Sequence, residues 1–466
     1  MTGYKEDTIC AVSTAPGTGG IAVIRISGAD AFHIADALFT SKSGRKISGS
    51  KPYTLVYGTL HDGNGEVVDD VVAAVYKAPH SFTGEDIVEL SCHGSQYIQQ
   101  RILTLLTQNR CRIASPGEFT RRAFANGKMD LAQAEGVADV IAASTAASHR
   151  LAVNQMRGGF SAELGALRER MIKFASLIEL ELDFSEEEVE FADRTELAEL
   201  ATEINSVICR LRDSFATGNA IKNGVPVAII GETNAGKSTL LNRLLGEERA
   251  IVSDIHGTTR DAIEDTVTIG GVLFRFIDTA GIRDTADTIE KMGIERTYGK
   301  IGQSAVVLWL NDVIQPLSAD IALDIKERSK GKALIAVLNK CDKSEPAVLE
   351  DKKREMADRI GEDVKITTIS AKSGTGIEEL QKALTDSIKI TADDNDVVVT
   401  NARHYEALTH AAEAMQRVLD GLASGIPGDL LAQDIREAMY YIGEITGEIT
   451  SGDLLQTIFS KFCIGK

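Results

Sequence analysis

The chain has 466 residues, 43% of them hydrophobic and 25% charged, which is enough length for about three domains of ordinary size. Its 68 acidic against 50 basic residues leave a formal net charge of −18, which excludes a protein that coats nucleic acid through bulk electrostatics and confines any RNA contact to a local surface. The 6 cysteines (Cys10, Cys92, Cys111, Cys209, Cys341 and Cys463) form no C-x-x-C pair, so neither a disulfide framework nor a zinc site is expected, and a reducing cytoplasm is the simplest setting.

The opening stretch, MTGYKEDTICAVSTAPGTGG, lacks a basic region followed by an apolar run. No segment approaches the roughly 18 apolar residues of a membrane span, so a soluble protein with no membrane partner is expected. Over residues 1–126 the runs IAVIRIS, YTLVYGTL, VVDDVVAAVYKA and DIVELSCHG predict short strands separated by Gly, Pro and Asp, a compact α+β unit. Residues 127–221 change to helical periodicity, as in LAQAEGVADVIAAS and ALRERMIKFASLIELELDF. Residues 222–387 alternate again: VPVAII, VLFRFID, AVVLWL, ALIAVLN and KITTIS each end in a loop of small or polar residues, the pattern of a largely parallel sheet with ligand loops at its strand C-termini. Beyond an acidic linker at Asp393 to Asp396, residues 388–466 return to helix. The expected fold is therefore multidomain: an α+β N-terminal domain, an α-helical central domain in two parts, and an α/β P-loop (Ras-like) domain inserted between them.

Gly231 to Ser238 fits G-x-x-x-x-G-K-[ST], with a β-branched strand before it and STLLNRLL after it. In such a loop the backbone N–H groups around Ala235, Gly236 and Thr239 cradle phosphates, Lys237 reaches the β and γ oxygens, and Ser238 ligates Mg²⁺. GTTRD (257–261) supplies Thr259, placed to cover the γ-phosphate and complete the metal shell. Asp278-Thr279-Ala280-Gly281 follows a strand and ends in a glycine whose N–H can sense the same phosphate, while Asp278 approaches the metal through water. Asn339-Lys340-Cys341-Asp342 closes ALIAVL, and the Asp342 carboxylate can accept both N–H donors on the Watson–Crick side of guanine, which adenine does not present. Ser370-Ala371-Lys372 closes KITTIS as the last base-contacting loop. Five segments in this order on strand ends read as a GTP site.

The residue after Gly281 is Ile282, where many GTPases place the glutamine that orients the attacking water. Asn234 and Glu290 are the candidates for that missing work. Asn234 offers an amide oxygen beside the β/γ bridge, where a hard monovalent cation could act as an arginine finger does elsewhere; read plainly, it is a loop-stabilising hydrogen bonder. The segment Ser253, Asp254, Ile255, His256, Gly257 and Thr258 could wrap over such a cation. Glu290 by itself reads as an exposed helix charge.

NAGKST, SDIHGTTRD, DTAGIRDTADTIEKMGIER, GKMDLAQAEGVADVI and the terminal GEITGEITSGDLLQTIFSKFCIGK together resemble the MnmE (TrmE) family of tRNA wobble-uridine modification GTPases over essentially the whole chain. The resemblance implies a K⁺-activated GTPase that dimerises through its N-terminal domain. Its K⁺ ligands would be Asn234, Ser253, Ile255 and Thr258, its Mg²⁺ ligands Ser238 and Thr259, and its catalytic residues Glu290, Asn234 and Lys237. Position 253 departs from the family's more frequent threonine, a change that a backbone carbonyl ligand would survive. The resemblance also implies that the N-terminal domain binds a 5-formyl- or methylene-tetrahydrofolate through Arg25, Glu89, Lys128 and Lys466. With an FAD-dependent partner, MnmG, such a protein installs a carboxymethylaminomethyl or aminomethyl group at C5 of the wobble uridine of certain tRNAs.

Several other signals read plainly. Gly17-Thr18-Gly19-Gly20 is a turn, since no strand is predicted before it. Cys92 and His93 are neighbours on one strand and point to opposite faces, so His93 is structural. Cys463-Ile464-Gly465-Lys466 fits a prenylation box poorly; Cys463 is either a spectator or a nucleophile near the folate. Arg121 and Arg122 are either a paired surface or contacts to RNA phosphates. Two competing functions stand beside the leading one. A ribosome-assembly GTPase of the Era or Der sort calls for a KH-type module or a second G domain, and a membrane-remodelling GTPase calls for an amphipathic or lipidated segment.

Overall fold

The computed structural model describes residues 7–183, 194–247, 265–277, 299, 301–361, 363–388 and 397–465. Clustering of the backbone divides the chain into two compact units, one of Met1–Ala138, Gln155–Arg168 and Met439–Lys466, the other of Asp139–Asn154 and Glu169–Ala438.

The first unit is built on seven strands: β1 (Thr8–Val12), β2 (Ile21–Ser27), β3 (Phe39–Ser41), β4 (Thr54–His61), β5 (Val67–Tyr76), β6 (Ile87–His93) and β7 (Cys111–Ile113). Their order in the sheet is β3-β4-β5-β6-β2-β1-β7. Alternation sets the faces: Val71, Ala73 and Val75 of β5 point to one side and are buried with Ile24, Ile26, Val88 and Leu90. Helices α1 (Ala31–Leu38) and α2 (Gln96–Gln108) cover that side with Phe32, Ile34, Ile102, Leu105 and Leu106. The other face carries Ile9, Ala11, Ala114 and Phe119, the last from α3 (Glu118–Ala125). The strand β1 was not expected, so the Gly17 to Gly20 segment does follow a strand; β2 rather than a helix comes after it, and it remains a turn.

Helices α4 (Leu131–Ala142), α5 (Ala146–Met156), α6 (Gly159–Asp183), α7 (Arg194–Asp213) and α8 (Phe215–Asn223) follow. The second sheet comprises β8 (Val225–Gly231), β9 (Asp265–Ile269), β10 (Val272–Phe276), β11 (Val306–Asp312), β12 (Ala333–Asn339) and β13 (Lys365–Thr368), in the order β13-β12-β11-β8-β10-β9. All neighbours are parallel except the β9–β10 hairpin. Val306 to Leu310 are all buried, as a strand covered on both faces requires. Covering elements include α9 (Lys237–Glu247), α10 (Ala319–Arg328), α11 (Pro346–Ile360) and α12 (Ile377–Asp386).

The C-terminal helices are α13 (Ala402–Ser424), α14 (Gly428–Thr446) and α15 (Gly452–Phe459). Within the second unit α7 packs on α13. Leu197, Ala201, Ile204, Ile208 and Leu211 recur at helical spacing and are buried, as are Leu408, Ala411, Met415 and Val418 on α13. Phe215 and Tyr405 stack at 4.7 Å between ring centroids, and the Ser214 hydroxyl accepts the Val399 N–H at 3.0 Å. The helical stretches on either side of the inserted α/β part are thereby joined. In the first unit Ile458, Phe459 and Phe462 pack with Leu131 and Ala134. The tail then runs onto β1, where the Ser13 hydroxyl donates to the Gly465 carbonyl at 3.2 Å.

Candidate functional site

The parallel register brings three loops to one edge of the second sheet: Leu310 pairs with Gly231, Asp312 with Asn339, and Leu338 with Thr368. The loop after β8 turns back into α9 through two positions only glycine fills. A Cβ at Gly231 would lie 2.2 Å from the Leu310 carbonyl oxygen, and one at Gly236, where φ is +101°, 2.2 Å from the Asn339 amide nitrogen. Between them Asn234 adopts φ +64°, a left-handed conformation that asparagine tolerates better than most residues, and its side chain is exposed. The Lys237 ammonium folds back to donate to the carbonyls of Gly231 at 2.7 Å and Glu232 at 2.8 Å. Ser238 and Thr239 occupy the first turn of α9, at the positive end of its dipole.

Asn339 is 2% exposed and both ends of its amide are occupied. Its Nδ2 donates to the Ala235 carbonyl at 2.7 Å and its Oδ1 accepts the Ala371 N–H at 3.0 Å. Asn339 thus ties the phosphate loop to the loop after β13, acting through the backbone of both. Lys340, at φ +65°, sends its ammonium to Asp312, 2.6 Å away. Asp342 is exposed, and its carboxyl is held below the usual carboxylate range, first by a hydrogen bond from the Ser370 hydroxyl. Ser370 is fixed in turn by its backbone N–H on Thr375 O at 2.9 Å and by the Ser373 N–H on its hydroxyl at 3.2 Å. Lys372 offers its carbonyl to Arg243 of α9 at 2.7 Å.

The structure therefore brings together Asn234, Ala235, Gly236, Lys237, Ser238, Thr239, Asn339, Lys340, Asp342, Ser370, Ala371 and Lys372. Ser253, Asp254, Ile255, His256, Gly257, Thr258, Thr259, Asp278, Thr279, Ala280, Gly281, Glu290 and Lys466 lie outside the described residues. Two participants escaped the sequence reading. Arg243 carries no local signal, whereas Asp312 is an acidic residue closing an apolar parallel strand, the position where ligand loops gather.

In the first unit Arg25 and Glu89 face each other across β2 and β6, with both Nε and Nη2 of the guanidinium 2.8 Å from Glu89 Oε1. The guanidinium lies 5.3 Å from the Phe82 ring centre and 5.5 Å from that of Phe119, at cation–π distance. Burial pushes the Tyr76 phenol up, and the Glu89 charge adds to that. Lys128 donates to Pro79 O at 3.0 Å, on the same β5–β6 connection that supplies Phe82.

Arg122 is 3% exposed and ion-paired with Asp7, Glu85 and Glu118; it is a structural cation and not an RNA contact. His93 is exposed and held by Asp69, with Nδ1 2.7 Å from Oδ1, while Cys92 is buried. Among the described residues no helix is long and apolar enough to cross a membrane.

A glycine-walled loop opening a helix, a lysine on that loop, Asn-Lys-x-Asp on the next parallel strand but one and Ser-Ala-Lys on the strand after it define a P-loop GTPase. The family models place it more narrowly. One described as "MnmE helical domain" matches residues 131–463 and one described as "GTP-binding protein TrmE N-terminus" matches residues 8–128. Curated relatives named tRNA modification GTPase MnmE align over nearly their full length. The Bacteroides fragilis protein is 56% identical over 99% of this chain and 100% of its own, and that of Parabacteroides distasonis 56% identical over 98% and 100%. The Flavobacterium psychrophilum protein is 52% identical over 99% of both chains. The chain belongs to the MnmE (TrmE) family.

Proposed function

We propose that this protein hydrolyses GTP with Mg²⁺ and a monovalent cation, K⁺ before Na⁺, and spends the cycle on modifying C5 of the wobble uridine of certain tRNAs with an FAD-dependent, MnmG-type partner. The observation that carries the nucleotide reading is the Asp342 carboxylate, exposed and kept ionised by Ser370 on a strand end that Asn339 ties to the phosphate loop. A carboxylate there accepts guanine's two N–H donors and would be left unpaired by adenine, a difference worth about 10⁴ in discrimination. In this reading Lys237 and the first-turn amides of α9 hold the phosphates, Ser238 and Thr259 suit Mg²⁺, and Asp278 to Gly281 sense the γ-phosphate. The exposed Asn234 amide is a hard oxygen donor of the kind K⁺ takes, with Ser253, Ile255 and Thr258 completing the set. A cation at that point supplies positive charge where charge grows during phosphoryl transfer. Glu290 orients the attacking water, since Ile282 cannot.

For the remainder of the chain we propose a folate-binding and dimerising domain over 1–126, a helical domain from 127–221 and 388–466, and a G domain over 222–387. The Arg25–Glu89 pair under Phe82 and Phe119 supports a planar, polar ligand such as the pterin of a 5-formyl- or methylene-tetrahydrofolate, with Lys128 and Lys466 on its acidic tail. A homodimer in the cytoplasm is the proposed working form. GTP turnover in K⁺ against Na⁺ tests the catalytic reading, and equal rates in the two salts refute it. Wobble uridines that stay fully modified in cells lacking the protein would refute the tRNA reading.

A further inference from the structure

Lys340 is usually a poor candidate for anything but charge, yet here its charge is already spent. Its ammonium lies 2.6 Å from Asp312 Oδ2, and side-chain exposure is 26% for the lysine and 12% for the aspartate. Asp312 is itself fixed from three directions. It pairs with Asn339 across β11 and β12, its Oδ1 accepts the Ile314 N–H at 3.1 Å, and its carbonyl accepts the Gln315 N–H at 3.1 Å. The same residue borders a small cleft whose other walls are Glu232, Thr233 and Ala235 of the phosphate loop, with Gln315 and Pro316 opposite. An uncompensated carboxylate in that place would oppose a ligand carrying several negative charges. The left-handed backbone at Lys340 aims the side chain from the end of β12 to the end of β11, so its methylenes span the mouth between Asp342 and the phosphate loop.

We infer that Asp312 is a positioning residue for the guanine nucleotide: it fixes and neutralises the Lys340 ammonium, so that Lys340 serves the nucleotide as an apolar wall formed by its stem and not as a cation. Base recognition is then divided, with Asp342 reading the hydrogen-bonding edge and the Lys340 stem covering a ring face. Long cationic side chains commonly present such stems while their heads are held elsewhere. The inference rests on the GTP-site reading above.

The test is a double-mutant cycle on the full chain, read as the dissociation constant of a fluorescent GDP, with Trp309 fluorescence checking that each variant is folded. Asp312→Asn keeps shape and removes the counter-charge; it is expected to weaken GDP binding about tenfold. Lys340→Met keeps the stem but bares the carboxylate, and is expected to weaken binding at least as much. Combining them removes both charges and retains the wall, so the double variant should recover to within about threefold of wild type, a strongly non-additive result. Losses that multiply in the double variant overturn the inference, because they mean that the lysine charge acts on the nucleotide directly. Unaltered binding by Asp312→Asn also overturns it. Failure of the GTP-site reading looks different: wild type would not bind GDP, or Asp342→Asn would not shift preference from guanine towards xanthine nucleotides, whatever the cycle gives.

Discussion

Replacing Asn339 with alanine removes the one side chain that joins two nucleotide loops from inside the fold. The Ala235 carbonyl loses a 2.7 Å donor and the Ala371 N–H loses a 3.0 Å acceptor, and these two residues are 2% and 3% exposed. Each buried backbone group left without a partner costs about 1–3 kcal/mol. The vacated amide volume is polar and roomy enough for a water, which can satisfy one of the two groups, so the net loss is expected near ~3 kcal/mol. Trp309 is the chain's single tryptophan and is 2% exposed on β11, beside β12, so its fluorescence follows unfolding of this sheet alone. With a urea dependence of about 2 kcal/mol/M, the Trp309 transition should move down by roughly 1.5 M. Asn339→Asp should cost no less, since a carboxylate has no donor for the Ala235 carbonyl. A midpoint within ~0.3 M of wild type for Asn339→Ala would show that the two loops are held by something other than this amide.

Gly236→Ala places a methyl 2.2 Å from the Asn339 Nδ2 at a φ of +101°, so GDP affinity should fall about tenfold or more, measured by titration of a fluorescent nucleotide. Asp342, whose carboxyl is lowered by the Ser370 hydroxyl, stays ionised as pH falls through the ordinary carboxylate range. Guanine affinity is therefore fully present above that range and lost only below it, whereas in Ser370→Ala the acid limb of a binding-versus-pH curve should move upward; superimposed curves count against the hydrogen bond. Burial, with the Asp69 charge adding to it, pushes the Cys92 thiol up to about 11, while Cys463 is exposed. Iodoacetamide near neutral pH should then label Cys463 well before Cys92 by peptide mass spectrometry, and equal rates would contradict the burial of Cys92.

What the sequence alone made legible was contiguous. The phosphate loop, Asn-Lys-x-Asp and Ser-Ala-Lys each act through a few consecutive residues at a strand end, and strands such as Ile21–Ser27 and Ala333–Asn339 follow directly from apolar runs. Short strands like β1, β3 and β7 were missed because three to five residues carry too little periodicity to stand out from a turn. Only the tertiary structure decided how the motifs are joined. That Asn339 spends its amide on Ala235 and Ala371, that Lys340 meets Asp312, and that Arg243 holds Lys372 all depend on strand order and register. So does the burial of Arg122 among Asp7, Glu85 and Glu118, side chains far apart in the chain whose meeting no local pattern encodes. A motif states its chemistry through its own backbone, but the partner that orients each side chain comes from whichever strand the fold sets beside it.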